Sequence, residues 1–189
     1  MMDLVEAAHR ACEFRLHPLG FFYLQVAVGG RGTFRVHVWL PDGPNRPEND
    51  RHQHSFDIES FVATGRMQSE LFRFEEMVGG PDVEYEVTYV GQESILRPSG
   101  RRGLLVPIAS FETVAGSGYR LEAGVIHRVA VVDRPCISVV KTLERGGAIF
   151  SYGNEDEAAF DRRLCTAREA DLIQRHLVHV AGRKTCRST

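Results

Sequence analysis

Two histidines and a glutamate stand close together in the segment RHQHSFDIESFVATG, residues 51–65. Side chains two residues apart in a strand point to the same face, so His52 and His54 can share one ion. Imidazole nitrogens are common ligands of divalent transition metals, and carboxylates bind several of the same ions. The spacing is therefore typical either of a metal site or of an edge strand whose histidines face solvent.

The carboxylates of this segment do not follow the same alternation. Glu59 lies an odd number of residues from His54, so an unbroken strand sends the two side chains to opposite faces. A bulge or tight bend between them reverses this parity and brings Glu59 to the histidines. Asp57 has the parity of Glu59 and is a competing carboxylate if the bend falls before it.

A second segment, GSGYRLEAGVIHRVAV (residues 116–131), contributes two glycines and one more histidine. Together the two segments resemble the paired motifs of the cupin superfamily. In the second motif Gly116, Gly124 and His127 fall in register. Glu122 stands where the family usually has proline, and Val131 where it usually has asparagine.

The first cupin motif is matched by the opening segment. His52, His54 and Glu59 occupy its ligand positions, with the longer of the family's two spacers before the glutamate. Gly65 comes one residue early, and Arg46 stands in place of the leading glycine. The departing positions are not ligands in the family, so they bear on the turns and the barrel rim more than on the metal.

The resemblance implies a jelly-roll barrel with one divalent metal ion inside its wider mouth. It implies His52, His54, Glu59 and His127 as the metal ligands, with Glu59 also able to act as a catalytic base. Iron(II) is the first candidate for the ion, and nickel, manganese and zinc are alternatives. Such a ligand set leaves coordination positions for substrate or water, which is the condition for a catalytic site.

The hydrophobic pattern predicts one domain over residues 1–189, an antiparallel all-β sandwich or barrel with N-terminal and C-terminal helices. The resemblance implies that this domain is a cupin jelly-roll β-barrel. The barrel core spans about residues 20–143. An amphipathic helix is predicted over 3–14, and the runs FFYLQVAV and TFRVHVWL read as a hairpin. Further strands are predicted at 53–63, 68–75, 84–90, 104–115, 119–121, 127–132 and 136–143.

Two further regions lie outside the standard barrel plan. The segment between the motifs, 66–115, is long for a cupin and is expected to add two strands or an extended hairpin. A helical extension is predicted over about 154–182. Its capping boxes are Asn154 with Glu157 and Thr166 with Glu169.

Four other polar residues are candidates for substrate binding. His37 lies on a predicted strand and is either a pocket residue or a surface histidine. Tyr89 shares a strand face with Tyr85, where it either lines the cavity or covers the outer sheet. Arg97 and Tyr119 are possible anchors for a substrate carboxylate or hydroxyl. His176 and His179, in contrast, are typical of a solvated helix face.

Composition limits the partners and the compartment. The net charge is −2 with both signs mixed, which favours neither a nucleic-acid nor a membrane partner. The first residues are too polar for the apolar core of a signal peptide, and the four scattered cysteines form no CxxC pair. We therefore expect a cytoplasmic protein with reduced thiols. The family's frequent dimerisation, and the need to protect the edges of an open sheet, predict a homodimer.

Three functions fit these observations, because the cupin fold hosts many chemistries. The first is an oxygenase of the dioxygenase type, acting with dioxygen on a small thiol, amino acid, enol or hydroxy acid. Three histidines and a glutamate resemble the sites of the quercetin and acireductone dioxygenases, whereas the thiol dioxygenase branch usually lacks the glutamate. The second is a redox-neutral isomerase, dehydratase or lyase that uses the metal as a Lewis acid. The third is a non-catalytic binder of small molecules.

Overall fold

In the computed structural model, residues 13–28, 32–43, 50–153 and 158–182 are described. Within these ranges the chain forms one antiparallel sheet and one helix. The strands are β1 Arg15–Leu16, β2 Phe22–Val28, β3 Gly32–Trp39, β4 Arg51–Gln53, β5 Phe56–Glu76, β6 Asp82–Val90, β7 Glu93–Val114, β8 Gly118–Leu121, β9 Ile126–Glu144, β10 Phe150–Gly153 and β11 Ala158–Asp161. The helix is α1, Ala167–Gly182.

The sheet confirms the predicted all-β character of the chain. Its strand order is β1-β2-β3-β9-β4-β10-β6-β7-β5-β8, with β11 beside β7 and a further pairing of β9 with β5. This further pairing brings two parts of the sheet together, but the order still has two ends, at β1 and β8. A clearly closed barrel, as the resemblance implied, is therefore not seen in the described part of the chain.

The two long strands β5 and β9 form the scaffold of the sheet. They pair from Phe56 opposite Glu144 to Phe72 opposite Ile126, with register shifts between Val62 and Met67. The runs predicted as two strands, 53–63 and 68–75, are thus mostly one irregular strand. Gly65 permits this irregularity, since its φ is 82° and a Cβ there would lie 2.8 Å from the Cα of Cys136.

The predicted hairpins are confirmed. β2 and β3 pair in continuous register from Phe22 opposite Val38 to Val28 opposite Gly32. The long segment between the motifs forms an extended hairpin of β6 and β7, with Val90 opposite Glu93 beside the turn. Alternating apolar side chains explain why these runs form strands with one buried face.

The C-terminal region is only partly helical. The second predicted capping box is confirmed, because the Thr166 backbone N–H donates to Glu169 Oε2 over 2.7 Å and the Glu169 backbone N–H donates to Thr166 Oγ1 over 3.3 Å. Residues 154–157 lie outside the described ranges, but 158–161 form strand β11 rather than helix because they pair with β7. At the other end of the chain, most of the predicted helix 3–14 also lies outside the described ranges. Its last two residues, Glu13 and Phe14, are described and are not helical.

The helix determines which face of the first hairpin is buried. Ile173, Leu177 and Val180, at helical spacing, are almost fully buried against Val36 and Val38 of β3. Because side chains alternate along a strand, Arg35, His37 and Trp39 of β3 face the other way, towards a cavity. No described helix is long and apolar enough to cross a membrane.

Candidate metal centre

Three histidines from the two predicted motifs meet at the cavity. The ring centroids of His52 and His54 are 4.7 Å apart, those of His52 and His127 are 4.6 Å apart, and those of His54 and His127 are 5.3 Å apart. One ring nitrogen from each lies within 4.8 Å of the others. Three imidazole nitrogens this close together match the chemistry of a site for a divalent transition metal.

Backbone pairing brings the two motifs to one place. His52 of β4 lies directly opposite His127 of β9 in the antiparallel register. The turn before β9 is tied to the end of β4, because the Gly124 backbone N–H donates to the His54 carbonyl over 2.9 Å. Gly124 has a φ of 81°, a conformation that side chains disfavour, so a glycine suits this turn.

Hydrogen bonds orient two of the three rings. His52 Nδ1 lies 2.7 Å from the Asp50 carbonyl oxygen, and His127 Nδ1 lies 3.0 Å from the Val125 carbonyl oxygen. A carbonyl oxygen only accepts, so each Nδ1 carries the proton and each Nε2 keeps a free lone pair. A metal-binding histidine commonly has its other nitrogen held in this way. The third ring, His54, instead stacks on Phe56 at a centroid distance of 4.5 Å.

The surroundings keep all three rings neutral. Burial lowers the pKa of His52, and it lowers the pKa of His54 further with the help of the neighbouring histidines. Burial and the nearby His52 lower the pKa of His127 to about 3. Neutral imidazole is the form that coordinates a metal, so the three residues are ready to bind near pH 7.

The structure corrects the predicted role of Glu59. Its side chain is 48% exposed, and its carboxylate pairs with Lys141 at 3.1 Å instead of joining the histidines. Phe56 and Ile58 line the cavity beside His54, so the alternation continues without the bend that ligation by Glu59 requires. Among the described residues the cluster consists of histidines alone, and Glu59 is placed neither to bind the metal nor to act as a base there.

Asp57, the competing carboxylate, has a structural position. Its Oδ1 accepts a hydrogen bond from the Ala123 backbone N–H over 3.0 Å, and its Oδ2 accepts one from Arg145 Nη2 over 2.6 Å. These hydrogen bonds, the one from Arg145 first, lower the pKa of Asp57. Asp57 thus links β5 to the turn that precedes His127, and positions the centre from outside it.

The four predicted substrate-binding residues divide into two pairs. His37 and Tyr119 line the cavity, and burial raises the pKa of the Tyr119 phenol, which therefore remains protonated at neutral pH. Arg97 is exposed on β7, opposite Glu86. Tyr89 is 51% exposed, with the guanidinium of Arg162 4.2 Å from its ring centroid. The Arg97 and Tyr89 side chains are both exposed, and neither lines the cavity.

The cavity has a volume of about 550 Å³. Four charged residues that sequence reasoning missed line it: Arg35, Asp50, Arg128 and Arg134. Burial is the main cause of a raised pKa at Asp50 and of a lowered pKa at Arg35. The alternation in FRVHVWL places Arg35 on the opposite strand face from Val36 and Val38. This pattern could have drawn attention to Arg35, but it does not tell which of the two strand faces turns towards the histidines.

Comparisons with known proteins add little to this geometry. No family model matches the chain, and a search of curated proteins found no match. Among solved structures, a single-residue variant of oxalate decarboxylase from Bacillus subtilis is similar to this chain. The match covers 70% of the present chain, with 8% sequence identity and a TM-score of 0.41. The matched part is 27% of that protein, and a likeness of this size carries no argument about fold or activity. What the protein does must therefore be argued from the three histidines and the cavity around them.

Proposed function

We propose that the protein is a cupin-type metalloenzyme of the oxygenase class, acting on a small organic substrate. The observation that carries this proposal is the cluster of His52, His54 and His127 beside a cavity of about 550 Å³. With three protein ligands, the ion keeps positions for substrate or water, whereas a structural site is usually closed by four. The proposed ion is iron(II), with nickel, manganese or zinc as alternatives.

The residues of the chain fit such an ion. The Asp50 and Val125 carbonyl groups fix the tautomers of His52 and His127, so the Nε2 atom of each ring is available. An ion bound there would supply open coordination positions for a small substrate or for dioxygen. The phenol of Tyr119 lines the same cavity in its protonated form, and can donate a hydrogen bond to a substrate oxygen.

Apolar side chains limit the access of water near the histidines. Phe56 stacks on His54, and Ile58 follows on the same face of β5. A less hydrated site strengthens the electrostatic interactions made inside it and limits side reactions with water. Substrate binding by His37 is also proposed, because this residue lines the cavity. Homodimer formation and a cytoplasmic location are proposals that rest on the sequence alone.

Metal analysis and dioxygen uptake test the proposal. The protein is purified without a metal-affinity column, its metal content is measured, and dioxygen consumption is screened with small thiols, amino acids, enols and hydroxy acids. We expect one ion per chain and substrate-dependent dioxygen uptake, both lost in His54→Gln. Absence of bound metal after reconstitution with iron(II), nickel, manganese and zinc would contradict the metal centre.

A redox-neutral activity is the second candidate. The observation that favours it is the outward position of Glu59, because three neutral ligands leave the full +2 charge of a divalent ion to polarise a carbonyl or hydroxyl group. An isomerisation or elimination product that forms at the same rate without dioxygen would select this candidate over the oxygenase.

A further inference from the structure

We propose that the cavity binds a small carboxylic acid, with its carboxylate on Arg35 and its apolar body against Phe21 and Trp39. A second donor atom of the same molecule, such as a hydroxyl, thiol or enol oxygen, then lies at the histidine cluster. This inference names the substrate class for the proposed function and rests on it. The inference comes from the charge, burial and placement of Arg35.

Arg35 occupies a position that faces the cavity. It lies on β3, where Val36 and Val38 face the core beneath α1 and the alternate residues Arg35, His37 and Trp39 line the cavity. A charged side chain among aromatic neighbours on the inner face of a strand is unusual, because arginine is mostly exposed in folded proteins. Its placement indicates a partner for the guanidinium on the cavity side.

Arg35 differs from the other arginines of the cavity. Arg128 forms an ion pair with Glu70, and Arg134 donates a hydrogen bond to the Leu40 carbonyl over 3.0 Å. Arg35, in contrast, makes no ion pair with any residue in the described ranges, and its Nε atom is buried without a hydrogen-bond partner among them. Of these three cations, Arg35 is therefore the one left to bind an incoming anion.

The surroundings of Arg35 make an anion favourable there. Its guanidinium lies over the Phe56 ring, 5.1 Å from the centroid, and burial lowers its pKa. A partly buried cation without a counter-ion is costly, and a carboxylate offsets the cost by accepting two parallel hydrogen bonds from the guanidinium fork. The planar fork selects carboxylates over neutral groups of the same size.

The distance to the histidines sets the size of the acid. Phe56 contacts both partners, since its ring lies 5.1 Å from the Arg35 guanidinium carbon and 4.5 Å from the His54 ring centroid. The sum of these two distances is the upper limit on the separation of Arg35 from His54. A molecule that reaches from Arg35 to the histidine cluster therefore needs only a few atoms between its carboxylate and its second donor.

The remaining volume is lined by aromatic side chains. The Phe21 ring contacts the rings of Trp39 and His37, with centroid distances of 4.8 Å and 4.6 Å, and Leu19 packs nearby. A cavity of about 550 Å³ exceeds the needs of a short acid, so this aromatic wall has room for an apolar substituent. Aromatic faces bind such substituents by apolar burial and ring stacking. The cavity thus fits an acid with an aliphatic or aromatic body.

Calorimetry with model acids tests the assignment. The probes are 3-phenyllactate and its uncharged amide, titrated into full-length protein that is either metal-free or loaded with zinc(II), a redox-inert ion. We expect both forms to prefer the acid to the amide. Arg35→Met should weaken binding of the acid about 10- to 100-fold, the loss expected for a charge-assisted pair, and abolish the preference. Arg35→Lys keeps the positive charge, so its affinity for the acid should lie between those of the wild type and Arg35→Met.

The control is Arg73→Met, which removes an exposed arginine paired with Glu75 and should change neither affinity. Equal affinity of wild type and Arg35→Met for the acid, in folded protein, overturns the assignment, and so does a wild type without preference for the acid. Zinc(II) titration of the same variants separates this inference from the proposed function. If Arg35→Met loses the preference for the acid and the wild type binds no zinc(II), the Arg35 assignment is supported and the proposed metal centre is contradicted.

Discussion

Two substitutions, His54→Gln and Glu59→Gln, distinguish the three-histidine centre from the set that included Glu59. Each keeps a polar side chain of similar size or smaller, so the fold should be retained. In the structure His54 contributes one of three ring nitrogens within 4.8 Å of one another. Glu59 is 48% exposed and pairs with Lys141. The two variants should therefore have opposite effects on metal binding.

The magnitude follows from what each side chain contacts. Loss of a residue that only orients a metal ligand costs about 10- to 100-fold in metal affinity, so loss of the ligand His54 should cost about 100-fold or more. That factor corresponds to about 3 kcal/mol of binding free energy. Glu59→Gln removes a surface ion pair worth about 0–1 kcal/mol of stability, and should change metal affinity by less than about twofold.

Titration calorimetry with zinc(II) on chelator-stripped protein measures both affinities, and elemental analysis of the purified variants gives the occupancy. Far-UV circular dichroism and a urea midpoint for each variant check that the fold is retained. The reasoning is refuted if Glu59→Gln loses metal as severely as His54→Gln, because the chain would then have to bend between the two residues. Full occupancy in His54→Gln would refute the centre itself.

Three further predictions concern stability and assembly. Gly65→Ala should destabilise the protein by about 2 kcal/mol or more, because the new Cβ meets backbone atoms 2.7–2.8 Å away at a φ of 82°. The control Gly91→Ala is also at positive φ but in open space, so it should cost only about 1 kcal/mol. Urea unfolding measures both losses. Hydrogen bonding to Arg163 lowers the pKa of Glu169 to about 2 from 4.5, so its stabilisation is present above about pH 4.5 and lost as the pH falls towards 2. Glu169→Gln should therefore cost about 1–2 kcal/mol at pH 7 and little at pH 2, and equal losses at both would contradict this reasoning. Sedimentation at micromolar concentration should give the mass of a homodimer, and a monomer mass would exclude it.

Much of the site follows from the order of residue types along the chain. His52 and His54 are two apart, so any regular strand turns them to one side. The resemblance of the segment around Gly124 and His127 to the second cupin motif implied that a third histidine returns to the same place, and the register of β4 with β9 confirms this. The hairpin of β2 and β3 and the capping box at Thr166 also follow from local patterns, since each depends on neighbours close in sequence.

Tertiary packing decided the features that local patterns leave open. Strand parity allowed Glu59 to be inside or outside, depending on a bend, and the regular run from Phe56 through Ile58 turned it outwards to Lys141. Local preference did not exclude helix at 158–161, which became a strand because β7 offers an edge for pairing. In both cases the deciding contacts join residues far apart in the chain.

The position of Arg35 depends most strongly on the tertiary structure. The alternation of FRVHVWL separates Arg35, His37 and Trp39 from Val36 and Val38, and predicts that one set is buried in a core. Helix α1 packs on the valines, so the other set lines the cavity beside the histidines. The sequence alone thus determined the residue types of the candidate metal ligands and their spacing. Only the packing of a distant helix decided that a cation faces them, because a strand has two faces and its sequence does not say what covers either.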